Sequence, residues 1–257
     1  VAGVFLVARL FPVYELFAPD VLHGIAYVGA FTSLFAAAIA CVQTDIKRVL
    51  AFSTISQIGF MMVALGVSGM GSHEGTGYMA GMFHLFTHAM FKALLFLGAG
   101  AIIHAVHSNE MSNMGGLRKH LPVTHITFLI ACLAISGIPP FSGFFSKDEI
   151  LAASFSFSPL MGVAMSGIAG LTAFYMFRLY YKIFWGTPSE HKHTPHEAPA
   201  LMTVPLIFLA VVTCVAGFIP FGEFVSSDGL IYEIHLDPTV AITSVVVACL
   251  AIGFATW

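Results

Sequence analysis

The sequence predicts an all-α integral membrane protein, a bundle of about eight transmembrane helices with one of them broken near the bilayer centre. Three observations predict it. Of 257 residues 58% are hydrophobic and only 9% charged, with a mean hydropathy of +0.91, which excludes an ordinary soluble domain. Apolar runs long enough to cross about 30 Å of hydrocarbon recur from one end of the chain to the other. Lys and Arg gather on alternate connections between those runs, the asymmetry that orients a membrane bundle.

Each run ends where glycine, proline or charge interrupts it. The segments are 1–17, 21–42, 49–67, 78–105, 123–157, 160–185, 202–218 and 240–257. Short connections reverse the direction each time, so the whole of 1–257 reads as a single membrane domain, up and down. After the second, fourth and sixth segments, or at the adjoining helix ends, lie Lys47, Arg48, Arg118, Lys119, Arg178, Lys182 and Lys192, seven of the ten basic residues. The opposite connections, 18–20, 66–77 and 219–238, carry none, which places the seven on the cytoplasmic side or its organellar equivalent. Val1 is not a start methionine and no cleavable signal pattern follows it, while Trp257 falls inside an apolar run; a fragment of a longer chain is expected.

Composition also limits what the protein does. A net charge of −3 and the lack of a phosphate-cradling glycine loop point away from nucleic acid and nucleotide binding. Cys41, Cys132, Cys214 and Cys249 stand singly in apolar runs, as small hydrophobes rather than disulfide partners or cluster ligands.

The 28-residue run 78–105 carries Lys92 at its middle, with His88 and His84 one and two helical turns before it on the same face. An ammonium at hydrocarbon depth costs about 2.5–3.5 kcal/mol even on the gentlest insertion scale, so it asks for a function. Proton conduction is the natural one: nitrogens at i, i+4 and i+8 stand about 6 Å apart along the axis, a spacing that single waters bridge. A plainer reading lets the three face a protein interior and join helices through hydrogen bonds. The two histidines also have zinc-helix spacing, but Leu85 stands where that motif needs glutamate and Lys92 would repel a cation, so no metal is expected. Glu190-His-Lys-His-Thr-Pro-His-Glu197 is richer in ligands, yet its polar setting reads as a solvated loop.

The fifth segment is too long for one helix. It spans 35 residues where about 20 suffice, and Ser136-Gly-Ile-Pro-Pro-Phe-Ser-Gly143 lies in its middle. Two half-helices meeting within the membrane are expected, although a short helix that surfaces near Phe145 also satisfies the hydropathy. Just beyond come Ser146, Lys147, Asp148 and Glu149, a base and two acids in an apolar setting, with Lys147 expected beside Asp148 and below the membrane surface.

Several strings, in order, resemble one family. They are Thr44-Asp-Ile-Lys-Arg-Val-Leu-Ala-Phe-Ser-Thr-Ile-Ser-Gln-Ile-Gly59, His84-Leu-Phe-Thr-His-Ala-Met-Phe-Lys-Ala93, Met114-Gly-Gly-Leu-Arg118 and Gly143-Phe-Phe-Ser-Lys-Asp-Glu-Ile-Leu151. Together they resemble the antiporter-like subunits of respiratory complex I, the last pointing to the distal subunit of the bacterial enzyme. The resemblance implies a proton-pumping module of two inverted five-helix repeats, of which this chain holds the second repeat and flanking helices. It also implies that His84, His88 and Lys92 lie on the hydrophilic axis and Lys147 with Asp148 in the half-channel by which protons leave. Lys47 matches a lysine in the helix after the family's T-D-I-K-R motif and is counted with the proton-translocation residues. No cofactor is implied for this chain; NADH, FMN, iron–sulfur clusters and quinone belong to partner subunits of the complex. The setting implied is a bacterial cytoplasmic membrane in preference to an organellar one.

The mechanism expected is electrostatic relay without redox chemistry in the chain. Unit charges 10 Å apart couple by about 1.7 kcal/mol at an effective dielectric of 20, enough to change a neighbour's proton affinity by more than tenfold. Two other classes share the lysine column or the fold: a subunit of a multisubunit cation/proton antiporter or membrane-bound hydrogenase, and a structural membrane subunit without transport. The Ser146-Lys-Asp-Glu149 string argues against the first, the intact His-His-Lys column against the second.

Overall fold

The computed structural model describes residues 2–68, 75–187, 194–227, 229–232 and 236–256. Among them run nine α-helices and no strand: α1 (Ala2–Phe17), α2 (Pro19–Val42), α3 (Ile46–Val67), α4 (Thr76–Val106), α5 (Pro122–Ile135), α6 (Ser142–Phe157), α7 (Pro159–Phe184), α8 (Ala200–Val215) and α9 (Pro238–Ala255). Six are long and apolar enough to cross a membrane: α2, α3, α4, α7, α9, and α8 with its 3-10 extension to Phe218. Adding α1 and a single broken crossing made by α5 and α6 accounts for the eight expected segments.

Local chemistry sets the helix starts. Proline opens α2, α5, α7 and α9, where its missing N–H belongs to the unpaired first turn and its fixed φ already suits a helix. Asp45 caps α3, its Oδ1 accepting from the amides of Lys47 at 2.7 Å and Arg48 at 3.1 Å, and Asp237 caps α9 through Thr239 N at 2.8 Å. Glu197 does the same for α5 from a distance. Its carboxylate accepts from Val123 N at 2.7 Å and Thr124 Oγ1 at 2.6 Å, so this end of the histidine-rich string is part of the fold and not a solvated loop; residues 190–193 lie outside the described residues.

Packing follows small residues. A Cβ on Gly59 would stand 2.6 Å from the Gly29 carbonyl and 2.7 Å from Ser33 Cβ, so α2 and α3 approach backbone to backbone, as membrane helices do where side chains are small. Leu50, Phe60, Phe91, Phe128, Tyr175 and Phe184 are fully buried and put the core between α3, α4, α5 and α7. By contrast α9 buries only Ala248 and lies along α7 with its other faces outward.

The basic residues meet at one end, as the positive-inside pattern requires. Arg178 Nη1 donates to the Gln43 carbonyl at 2.9 Å, Met111 N to Thr44 O at 2.9 Å, and the Arg118 guanidinium stands 3.8 Å over the Trp185 ring. Lys192 lies outside the described residues.

The break is real and has a defined geometry. Gly137 has φ +74°; its amide donates to Ala134 O, and Ile138 N to Leu133 O, both at 3.1 Å. This is a Schellman ending, which needs a residue in the left-handed region and so favours glycine. Ser136 and Gly137 are buried whereas Pro139 and Pro140 are exposed; the prolines, with no N–H to leave unpaired, take the outward side. Helix α6 then restarts hard against α5, because a Cβ on Gly143 would overlap the Ala134 carbonyl. Gly143→Ala is therefore expected to destabilise the protein by about 1–3 kcal/mol through overpacking. Thermal unfolding of the purified variant measures it, and an unshifted midpoint would show the junction to be loose.

Candidate functional site

Polar side chains from four helices converge in the middle of the bundle. The unbroken α4 keeps His84, His88 and Lys92 on one face, and all three are buried. His84 Nδ1 is 2.9 Å from Ser146 Oγ of α6 and its Nε2 is 3.1 Å from Gln57 Oε1 of α3. Ser146 in turn lies 2.8 Å from Thr87 Oγ1, and Gln57 Nε2 donates to Thr172 Oγ1 of α7 at 3.4 Å. One turn along α3, Ser53 Oγ accepts from Tyr175 at 3.0 Å. His84 is thus the node linking α3 to α6: Gln57 Oε1 can only accept, so Nε2 donates to it, and Nδ1 of the neutral ring accepts from the Ser146 hydroxyl.

His88 continues the column with its ring centroid 6.1 Å from that of His84, the spacing helical geometry predicts. Its Nε2 is buried and meets no hydrogen-bond partner. Such an unpaired nitrogen costs free energy unless water or a moving proton carrier visits it.

Among the described residues, both lysines bond backbone carbonyls and neither pairs with an acid. Lys92, 5% exposed, donates to the Leu50 carbonyl of α3 at 3.0 Å. Lys147, 3% exposed, donates to the Ile135 carbonyl at 2.6 Å, and its ammonium stands 5.3 Å from the Phe60 ring centroid. Ile135 is the last residue of α5. The break leaves its carbonyl without a helical partner, at the negative end of the α5 dipole, and that is where the ammonium sits. The expected pairing of Lys147 with Asp148 is corrected accordingly. Successive residues of a helix point about 100° apart, so Asp148 faces elsewhere; it is 2% exposed and neither carboxylate oxygen has a hydrogen-bond partner.

On the same side of α6, a cavity of about 580 Å³ opens between the starts of α4 and α9 and is lined by Thr76, Glu149, Ser156 and Asp237. It lies at the end of the bundle opposite the basic cluster. Lys47 stands outside this arrangement: it is exposed in the first turn of α3, because the capped helix start projects it from the bundle surface. Sequence reasoning missed Ser53, Gln57, Thr87, Ser146, Thr172 and Tyr175. A signal existed, since Ser53 and Gln57, and likewise Ser142 and Ser146, are polar pairs at i, i+4 in apolar runs.

The sequence matches the family model described as NADH:quinone oxidoreductase/Mrp antiporter, TM, over residues 1–172. It is 46% identical over 254 residues to NAD(P)H-quinone oxidoreductase chain 5 of Picosynechococcus sp., covering 86% of this chain and 37% of that one. To NADH-quinone oxidoreductase subunit L of Mycobacterium tuberculosis it is 49% identical over 225 residues, covering 84% and 34%. The chain thus spans little more than a third of the curated relatives it matches. A solved archaeal respiratory membrane complex, the membrane-bound sulfane sulfur reductase, has a chain alike in structure with a TM-score of 0.74 and 28% identity, covering 91% of this chain and 40% of that one.

Proposed function

Since the chain belongs to the NADH:quinone oxidoreductase/Mrp antiporter transmembrane family, we propose that it forms the proton-conducting second repeat of the distal membrane subunit of an NADH:quinone oxidoreductase, in a bacterial cytoplasmic membrane. The observation that carries the reading is the buried node in which His84 joins Gln57 of α3 to Ser146 of α6, in a bundle that also buries two lysines, each bonded to a backbone carbonyl.

In this mechanism protons pass between neutral and charged states of buried groups without redox chemistry in the chain. Lys92 holds a proton against the Leu50 carbonyl, His88 and His84 hand it along α4, and Ser146 delivers it beside Lys147. Coulomb repulsion between the two ammoniums, about 1.7 kcal/mol at 10 Å and an effective dielectric of 20, makes arrival at one favour departure from the other. Asp148 and the cavity bordered by Glu149 and Asp237 receive the proton on the non-cytoplasmic side. The energy comes from partner subunits, which carry NADH, FMN, iron–sulfur clusters and quinone. The residues named for this relay are His84, His88, Lys92, Lys147 and Asp148; Lys47, exposed at the start of α3, is given no step in it.

His84→Leu tests the node. It removes both hydrogen bonds but keeps an apolar side chain that fits a buried site, so the complex is expected to assemble and transfer electrons while proton translocation falls severalfold. Proton-to-electron ratios in sodium-free vesicles measure this. Normal translocation by the variant would remove His84 from the path, and a wild type that translocates protons only when sodium is added would favour cation/proton antiport.

A further inference from the structure

The segment that follows α8 grips α4 and α6 from outside, beside the point where those helices exchange hydrogen bonds within the bundle. It is made of two 3-10 turns, Ala216–Phe218 and Phe221–Glu223. Phe221 stacks on Phe83 at 5.2 Å and on Phe86 at 5.7 Å, two rings one turn apart on α4. Phe218 packs against Phe145 of α6 at 5.1 Å. Phe83 and Phe145 immediately precede His84 and Ser146, the pair joined at 2.9 Å. We propose that residues 217–222 form a clasp that positions the relay: seated on Phe83, Phe86 and Phe145, they fix the α4–α6 spacing at which His84 Nδ1 and Ser146 Oγ meet.

Local chemistry makes the clasp stiff. Gly217 is buried, and a Cβ there would stand 2.8 Å from Ser142 Cα, so the clasp backbone lies on α6 with no side chain between. At the other end a Cβ on Gly222 would overlap the Tyr232 carbonyl. Tyr232 N donates to Gly222 O at 3.1 Å, and its ring lies against Gly75, where α4 begins, closely enough that a Cβ on Gly75 would overlap it. Between the two turns Pro220 holds φ at −72°, which limits how far one can swing against the other. Each end is thus tied to the helix it touches, and close-packed rings transmit a displacement rather than absorb it. The bond inside is sensitive to such a displacement. A shift of about 1 Å would carry the His84–Ser146 pair beyond hydrogen-bond reach. Residues 217–222 carry no titratable side chain, so they act on a proton path through spacing and not through charge.

The inference rests on the reading that the His84–Ser146 link carries protons, and the test separates the two. It uses the full-length protein in its complex. Phe221→Ala removes both stacked contacts and Gly217→Ala wedges the clasp off α6; each is expected to lower the proton-to-electron ratio at least about threefold, as a small misplacement of transferring groups does. Phe221→Tyr keeps the stacking and should leave the ratio unchanged. In the His84→Leu background Phe221→Ala should add nothing, because the link through which it acts is already gone. A further loss by the same factor there would make the segment a general brace and overturn the proposal. So would a normal ratio in Phe221→Ala beside a lowered one in His84→Leu. A structure of the Phe221→Ala complex reads the geometry without reference to proton flow: the His84–Ser146 distance is expected to exceed about 3.5 Å, and an unchanged distance would refute the clasp even if the relay stands. Should His84→Leu translocate normally, the relay reading fails and the clasp is judged by that distance alone. If Gly217→Ala does not assemble, Phe221→Ala decides.

Discussion

Lys92→Ala is expected to abolish most proton translocation, by at least about tenfold, while the complex still assembles. The lysine is the only cation of α4, is 5% exposed and has one hydrogen bond, to the Leu50 carbonyl. Removing it costs the fold little, because that carbonyl still accepts from Thr54 Oγ1 at 3.0 Å and an uncompensated buried charge disappears. What is lost is the lysine that holds a proton as a cation before His88 takes it on. Lys92→Met separates the two contributions: it keeps the volume of the stem without the ammonium, so it should recover any stability lost in the alanine variant and none of the translocation. Translocation in vesicles, normalised to quantified complex, decides this. Near-normal activity in both variants would show that Lys92 merely packs.

Lys147→Glu is expected to be as damaging as Lys147→Ala, and to lower the amount of assembled complex as well. A reading from sequence alone would rank the glutamate variant as milder, because it keeps a titratable group. The geometry around the ammonium argues against that ranking. The ammonium rests on the Ile135 carbonyl at the C-terminal end of α5, where the helix dipole is negative and disfavours a carboxylate. Asp148, buried with neither oxygen partnered, would then adjoin a second acid, and an uncompensated buried charge costs about 3–5 kcal/mol. Native electrophoresis for assembly, together with translocation per complex, measures both effects. A glutamate variant that pumps like wild type would mean that any proton carrier suffices there and that the carbonyl cradle is incidental.

Much was readable along the chain. Hydropathy placed the crossings to within a few residues, since every helix in lipid must satisfy its backbone internally and must be about 20 residues long. Gly137 with Pro139 and Pro140 announced the break, and the four-residue spacing of His84, His88 and Lys92 put them on one buried face. All of these are local properties, set by the covalent character of each residue and the period of a helix.

The partners were not readable in this way. Nothing in the string Ser146-Lys-Asp-Glu149 says that Lys147 turns away from the adjacent Asp148 to a carbonyl of the preceding helix, or that Ser146 meets His84 62 positions earlier. Lys47 looked equivalent to the other lysines until the start of α3 placed it outside the bundle. Sequence by itself determined that this is a membrane helix bundle with a broken crossing and a buried column of nitrogens, because hydrophobicity and helical period are carried by the chain. Only the tertiary structure decided which carbonyl, hydroxyl or amide each nitrogen faces, because hydrogen bonds between helices depend on rotation and depth, which are set by close packing at contacts such as Gly29 with Gly59 and Gly143 with Ala134.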